Sequence, residues 1–159
     1  MKMIKTNAMR ILDQNNISYT THEYPHGKEA VDGVQVADLL HEPYEMVYKT
    51  LVTQANTKEF FVFMIPVDKE LDLKKCAKVA NVKSIEMIHV KDITKITGYV
   101  RGGCSPLAMK KSFKTFVYEE CVLYDSIIFS GGKIGIQIEM SPMELIDLLK
   151  IECVDCIKA

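Results

Sequence analysis

Apolar residues fall at helical spacing early in the chain, where Ala8, Ile11 and Leu12 share a face and Thr6 or Asn7 supplies an N-cap. The pattern stops near Asn15-Asn16. Residues 19–24 then predict a strand, closed by Pro25 and a His26-Gly27 turn. Val34, Ala37 and Leu40 predict a short helix ending before Pro43. Residues 46–52 predict a strand with Lys49 on the face opposite Tyr48 and Thr50. Residues 60–67 are almost wholly apolar, the pattern of a strand buried on both faces.

Asp72 opens a capped helix over residues 72–80, with Leu73, Cys76, Ala77 and Ala80 on its inner side. Ile93 and Ile96 mark a further helical turn, and residues 115–118, 126–130 and 134–139 predict late strands. Ser141 as N-cap and Pro142 at the first helical position begin a last helix. Strands alternate with helices early and run as a meander late. The expected fold is therefore α+β, a mixed sheet with helices packed around it. No linker, repeat or low-complexity segment divides residues 1–159, so one compact domain is expected.

Composition narrows the function classes. No apolar run approaches the ~18 residues that span a bilayer. Residues 1–7 lack the apolar centre of a secretory signal, so the cytoplasm is the expected compartment. Cysteines 76, 104, 121, 153 and 156 are odd in number and are expected as free thiols. Cys153 and Cys156 have the spacing of half a metal site or a redox pair. They lack a partner pair and do not open a helix, so a structural role is expected. A net charge of −1 argues against strong non-specific nucleic-acid binding. Lysines nevertheless gather in the middle of the chain, where they form either a modest basic face or an ordinary solvated surface.

Two glycine-bearing stretches carry the chemical interest. Gly98-Tyr99-Val100-Arg101-Gly102-Gly103-Cys104-Ser105-Pro106-Leu107 runs from β-prone residues into a glycine pair, and Ser130-Gly131-Gly132-Lys133 ends a strand-like run. Glycine lets a backbone approach a ligand closely. Two such loops can aim N–H groups at a carbonyl, an oxyanion or a phosphate. Taken alone they read more readily as ordinary hairpin turns.

The order of these signals resembles the YbaK/EbsC family of aminoacyl-tRNA deacylases, related to the editing domain of bacterial prolyl-tRNA synthetases. The resemblance is carried by Val47-Tyr48-Lys49-Thr50-Leu51, Leu71-Asp72-Leu73-Lys74-Lys75, Thr97-Gly98-Tyr99-Val100, the two glycine loops and the closing helix, and spans about residues 5–155. It implies a partly antiparallel, barrel-like sheet and hydrolysis of a mischarged aminoacyl ester, typically cysteine on proline tRNA. It implies neither metal nor organic cofactor. On the matching positions Lys49 is the essential lysine, Tyr24 the strand-end tyrosine, Gly102 and Pro106 the G-x-x-x-P pair, and Ser130 the serine of the second loop. Two positions depart: Gln137 stands where an aspartate is frequent, and Val31-Asp32-Gly33 where an aromatic is frequent. Both bear on amino-acid selectivity.

Ester hydrolysis needs an attacking group, an oxyanion stabiliser and a hold on the leaving ribose. Lys49, Gly102 and Ser130 are the expected catalytic set, with Lys49 as a fixed-charge clamp in preference to a base; an inert strand-edge lysine is the alternative. Tyr24 and Tyr99 are candidates to stack on the terminal adenine. Arg101 and Lys133, with Lys110 and Lys111, are candidates for acceptor-stem phosphates. Gly103, Pro106, Gly131, Gly132 and Gln137 complete the expected substrate-binding set. Cys104 is a weaker candidate nucleophile, being neither at a helix start nor near a histidine. His22, His26, His41 and His89 belong to no catalytic motif. The family route, in which the substrate's own thiol attacks its ester, accounts for the missing triad. The expected partners are the 3′ end of an aminoacylated tRNA and a synthetase such as prolyl-tRNA synthetase. The alternative is a non-catalytic module that binds tRNA or a synthetase, with Gln137 marking a lost function. A phosphate-ligand binder is disfavoured by the absence of P-loop spacing.

Overall fold

Thr6 begins the first helix as its pattern requires: its Oγ1 accepts the Met9 N–H at 3.2 Å and donates to the Gly131 carbonyl at 2.6 Å. The computed structural model describes residues 5–159; the first four residues of the stretch weighed above against a secretory signal lie outside it. In chain order the elements are α1 (Asn7–Gln14), β1 (Thr20–Glu23), α2 (Gly33–Leu40), β2 (Tyr48–Ala55) and β3 (Phe60–Pro66). There follow α3 (Leu73–Ala80), β4 (Ile85–Met87), α4 (Ile93–Thr97) and β5 (Lys114–Tyr118). The chain continues through β6 (Ile127–Lys133), β7 (Ile136–Met140), α5 (Pro142–Leu149) and β8 (Glu152–Val154). Single 3₁₀ turns precede β2 at Tyr44–Met46 and α4 at Val90–Asp92, and a third follows β5 at Glu119–Leu123. No helix among the described residues is long and apolar enough to cross a membrane.

The strands form two sheets. One is antiparallel, in the order β1-β7-β6; the other is mixed, in the order β4-β2-β3-β5-β8. In the second, β3, β5 and β8 run parallel while β2 pairs antiparallel with both β3 and β4. The sheets touch through an isolated parallel bridge between Val47 and Ile128. The mixed, helix-flanked α+β architecture agrees with the sequence expectation, but the sheets stay open and form no closed barrel. The late meander is shorter than expected. β5 leaves it for the other sheet, because the 3₁₀ turn after Tyr118 redirects the chain before β6.

Helix α3 is capped by Asp72, whose Oδ1 accepts the Lys74 and Lys75 N–H groups at 3.0 and 3.1 Å. Its inner face is narrower than the sequence suggests: Cys76 and Ala77 are buried, whereas Leu73 is 37% exposed. The second glycine pair also lies differently. Gly131 and Gly132 sit inside β6 at an irregularity between Ser130 and Lys133, and the hairpin turns later, at Gly135, whose φ is +95°. β4 and β8 are three residues each, too short to show a period.

The sheet β1-β7-β6 buries Phe129, Ile136 and Ile138 against Met9 and Leu12 of α1 and Leu145 of α5. The mixed sheet buries Phe63, stacked on Phe116 at 5.0 Å, against Cys76 and Ala77 of α3. Truncating a fully buried phenylalanine such as these costs about 3–5 kcal/mol. A polar cluster ties β1 to β7: His22 Nε2 lies 2.7 Å from Glu139 Oε1, and the Ser126 hydroxyl donates to Glu139 Oε2. The Ser126 hydroxyl, then His22, holds the Glu139 carboxyl below its ordinary value. A carboxylate lowered on folding adds stability above its unfolded value and loses it as pH falls through the folded one. Glu139→Gln is therefore expected to lower the melting temperature at neutral pH. Its deficit against wild type should shrink as a calorimetric series descends below the ordinary glutamate range.

Candidate active site

The hydrogen-bond register of β2 leaves an opening in the fold. Val67 N–H donates to the Val47 carbonyl at 2.9 Å, so in the β2–β3 register the main-chain groups of Lys49, Leu51 and Thr53 face β3. Those of Tyr48, Thr50 and Val52 face the other edge. There β4 pairs with Thr53, Gln54 and Ala55, Ile88 N–H reaches the Val52 carbonyl at 3.3 Å, and Val47 bridges Ile128. Thr50 lies between these contacts with no strand partner on that edge. Its hydroxyl is also buried and unpaired among the described residues.

A cavity of about 320 Å³ occupies this gap. Its walls are largely apolar, with Val36, Val47, Val67, Met87, Ile88 and Ile93 among them. The polar residues that line it are Tyr48, Lys49, Thr50, Arg101, Ser130 and Gln137, with Gly102 and Cys104 beside them. Three expected catalytic positions, from β2, the first glycine loop and β6, thus border one space. The Lys49 side chain makes no hydrogen bond or ion pair with any described residue, and its charge is free for a ligand.

The first glycine loop is held by its own bonds. The Thr97 hydroxyl accepts the Tyr99 N–H at 3.0 Å, and the Thr97 carbonyl accepts the Lys110 N–H at 2.9 Å. The Tyr99 hydroxyl donates to the Leu107 carbonyl at 2.6 Å, and Gly103 N–H donates to the Val100 carbonyl at 2.9 Å. That turn consumes the Gly103 N–H, whereas the Gly102 N–H has no partner among the described residues. Gly102 has φ +85°, and a Cβ there would stand 2.8 Å from the Ala30 Cβ. In β6 the Ser130 Oγ accepts the Gly132 N–H at 3.2 Å, which orients the serine within the strand irregularity.

Other expected site residues lie apart from the cavity walls. Tyr24 is 4% exposed, so neither ring face is open for stacking on a base. Tyr99 is half-buried, its ring beside Gly132 and its hydroxyl committed to Leu107. Pro106 borders a second, smaller hollow with Met109, Phe113 and Leu149. Gly103 and Gly131 are buried, and Lys133 is exposed at the end of β6. Gly132 has φ +101° and shapes the irregularity without lining the cavity. Cys104 does line it, but burial pushes its thiol up to about 11, which keeps it protonated and a poor nucleophile. Cys156 is buried while Cys153 is exposed in β8, so they do not form a shared surface pair. Among the described residues no cluster of three or more His, Cys, Asp or Glu side chains could hold a metal. The apolar walls and Thr50 were not anticipated; a threonine following the key lysine on a strand was the available signal.

Residues 28–148 match the family described as the aminoacyl-tRNA editing domain. The chain belongs to this family, a class of aminoacyl-tRNA deacylases. It is 44% identical over 144 residues to an Enterococcus faecalis protein, EbsC, provisionally named a Cys-tRNA(Pro)/Cys-tRNA(Cys) deacylase; the match spans 91% of this chain and 88% of that protein. Among solved structures it is similar to the hypothetical protein APE2540, with a TM-score of 0.86 and 19% identity over 96% of this chain and all of that one. A second, provisionally described as a trans-editing enzyme for prolyl-tRNA synthetase, gives a TM-score of 0.81 and 17% identity over 99% of this chain and all of that one. At such identities these two structures speak to the fold.

The backbone at Gly102 admits a sharp check. Gly102→Ala is expected to lower the melting temperature, since left-handed backbone alone costs a residue with a Cβ about 1–2 kcal/mol and the contact with Ala30 adds to it. Gly27→Ala, with nothing within 4 Å of the added carbon, should leave the thermal transition in place.

Proposed function

We propose that this protein hydrolyses the aminoacyl ester of mischarged tRNA, with Cys-tRNA(Pro) as the principal substrate. The supporting observation is the convergence of Lys49, Gly102 and Ser130 on one cavity, where the Lys49 side chain and the Gly102 N–H have no partner among the described residues. In this reading the ester lies along the open edge of β2. The free N–H of Gly102 receives the developing oxyanion, a contact worth roughly 3 kcal/mol in such sites. Lys49 acts as a fixed positive charge on the ester oxygen or the terminal phosphate, and Ser130 positions the 3′ ribose. Gln137, facing the same space, contacts the aminoacyl group.

No histidine lines the cavity, and its cysteine is held as a neutral thiol. The attacking group is then supplied by the substrate: its side-chain sulfur adds to its own carbonyl carbon as the bond to the ribose oxygen breaks. That oxygen takes up the proton the thiol gave up, leaving a cyclic thioester that water then opens. A nearby ammonium favours the thiolate this step needs. The same step predicts a preference for cysteine over serine or alanine, which lack the sulfur. Recognition of the tRNA body rests on exposed Arg101 and the neighbouring lysines Lys110, Lys111 and Lys133. With a net charge of only −1 this contact is weak and salt-sensitive, which suits delivery by a synthetase such as prolyl-tRNA synthetase. A cytoplasmic location follows from that substrate.

Lys49→Ala is expected to reduce deacylation of Cys-tRNA(Pro) by about 10²–10³-fold, the size seen when one charge-stabilising donor is lost, with an unchanged melting temperature. Full activity in that variant removes the role of Lys49. Binding of tRNA by wild type without hydrolysis above the buffer rate favours a non-catalytic binding module instead.

A further inference from the structure

The charge inventory of the cavity is one-sided. Lys49 and Arg101 line it, and none of its lining residues is an aspartate, glutamate or histidine. Asp32, next in sequence to two lining residues, is exposed as the cap residue of α2 and outside the lining. Glu139 shares a sheet face with Gln137 two residues away, but its oxygens are engaged by Ser126 and His22. The remaining titratable walls are Cys104 and Tyr48, whose neutral forms burial favours. A ligand cation placed here meets like charge in a partly desolvated space and no counter-ion.

Gln137 stands at the centre of this inventory. It is 5% exposed, lies opposite Ser130 in the β6–β7 ladder and makes no side-chain hydrogen bond with any described residue. Its amide both donates and accepts. It therefore matches an uncharged amine or an amide, whereas a carboxylate in its place would match an ammonium. The β2 edge offers the same neutral chemistry through the main chain and hydroxyl of Thr50. At about 320 Å³ the cavity sits at the lower end of the roughly 300–1,000 Å³ range of small-molecule sites, enough for an aminoacyl group with a small substituent on nitrogen.

We propose that this site selects aminoacyl esters whose α-nitrogen is uncharged, so that N-acylated aminoacyl esters are a second substrate class, with Gln137 setting the preference. The inference rests on the deacylase reading above. The overall reaction is hydrolysis: the elements of water are added, the bond between acyl carbon and ribose oxygen breaks, and N-acyl amino acid and free 3′-hydroxyl result.

The test compares Cys-tRNA with N-acetyl-Cys-tRNA on the same tRNA, as enzymatic rate above the buffer rate. An α-amino group titrates at about 7.7–8.0, so the free-amine substrate is mostly cationic at about pH 6 and mostly neutral at about pH 8.5. Wild type should cleave both esters. Acylation removes the ammonium that lowers the neighbouring thiol. Each ratio of acylated to free-amine rate is therefore divided by that of Gln137→Asp at the same pH, which cancels the dependence on hydroxide and on either thiol. Gln137→Asp should lower the ratio at about pH 6 by about tenfold, through better acceptance of the ammonium, so the relative ratio should fall about tenfold towards pH 8.5. Gln137→Glu supplies the carboxylate if this variant does not fold. An acylated ester left uncleaved, a relative ratio flat with pH, or an unchanged ratio in the folded carboxylate variant overturns the inference and leaves the deacylase reading intact. Failure to cleave either ester overturns that reading and the inference with it.

Discussion

The incomplete second edge of β2 is the constraint on which the rest depends. One edge is paired with β3 from Tyr48 to Gln54; the other is met only near its ends, by β4 with Ile88 and by the Val47–Ile128 bridge. An unpaired stretch of strand is normally a liability, since its main-chain groups must find partners. Here the two sheets converge at one end and separate beside it, sheltering the stretch inside a cavity. The Gly102 loop and the Ser130 irregularity close two further sides. Every candidate for catalysis is therefore attached to rigid backbone. The loop is pinned by Thr97, Val100 and Leu107, and the strand irregularity by Thr6.

Much of this was legible in the residues, and the parts that were not have physical reasons. The helix starts at Thr6, Asp72 and Ser141 are written in side chains that accept specific N–H groups, and the structure uses all three. The apolar run from Phe60 marks a central strand, and β3 is central, paired on both edges. Periodicity says nothing about which edge meets which, so the parallel β3–β5–β8 arrangement and the split into two sheets had to come from packing. The glycine pair after Ser130 resembles a turn in sequence. It serves instead as a close approach within a strand, because a Cβ at Gly131 would stand 2.9 Å from the Ile136 Cγ2. Lys49, Gly102 and Ser130 were identified through a family resemblance. Thr50 and the apolar walls escaped because a buried unpaired hydroxyl and a cavity are properties of three-dimensional arrangement.

The cysteines illustrate how environment overrides residue type. Cys76, Cys121 and Cys156 are buried, and their thiols are all pushed up to about 12, chiefly by loss of water. Cys104 is raised for the same reason in the wall of the cavity. A motif-based reading of Cys153 and Cys156 would have sought metal or redox chemistry. The fold uses Cys156 as a small apolar residue whose carbonyl accepts a hydrogen bond from Asp72, next to α3.

The pairing of β1 with β7 joins Thr20 to Glu139, and that of β5 with β8 joins Phe116 to Glu152. Neither sheet can be completed by neighbours in sequence; the first waits for a strand more than a hundred residues downstream. Such long-range closure slows folding. During synthesis β1 must wait, its edge unmatched, until the ribosome has released the segment holding β7. The order of assembly is thus imposed by topology, and nascent chains arrested before that segment lack one complete sheet.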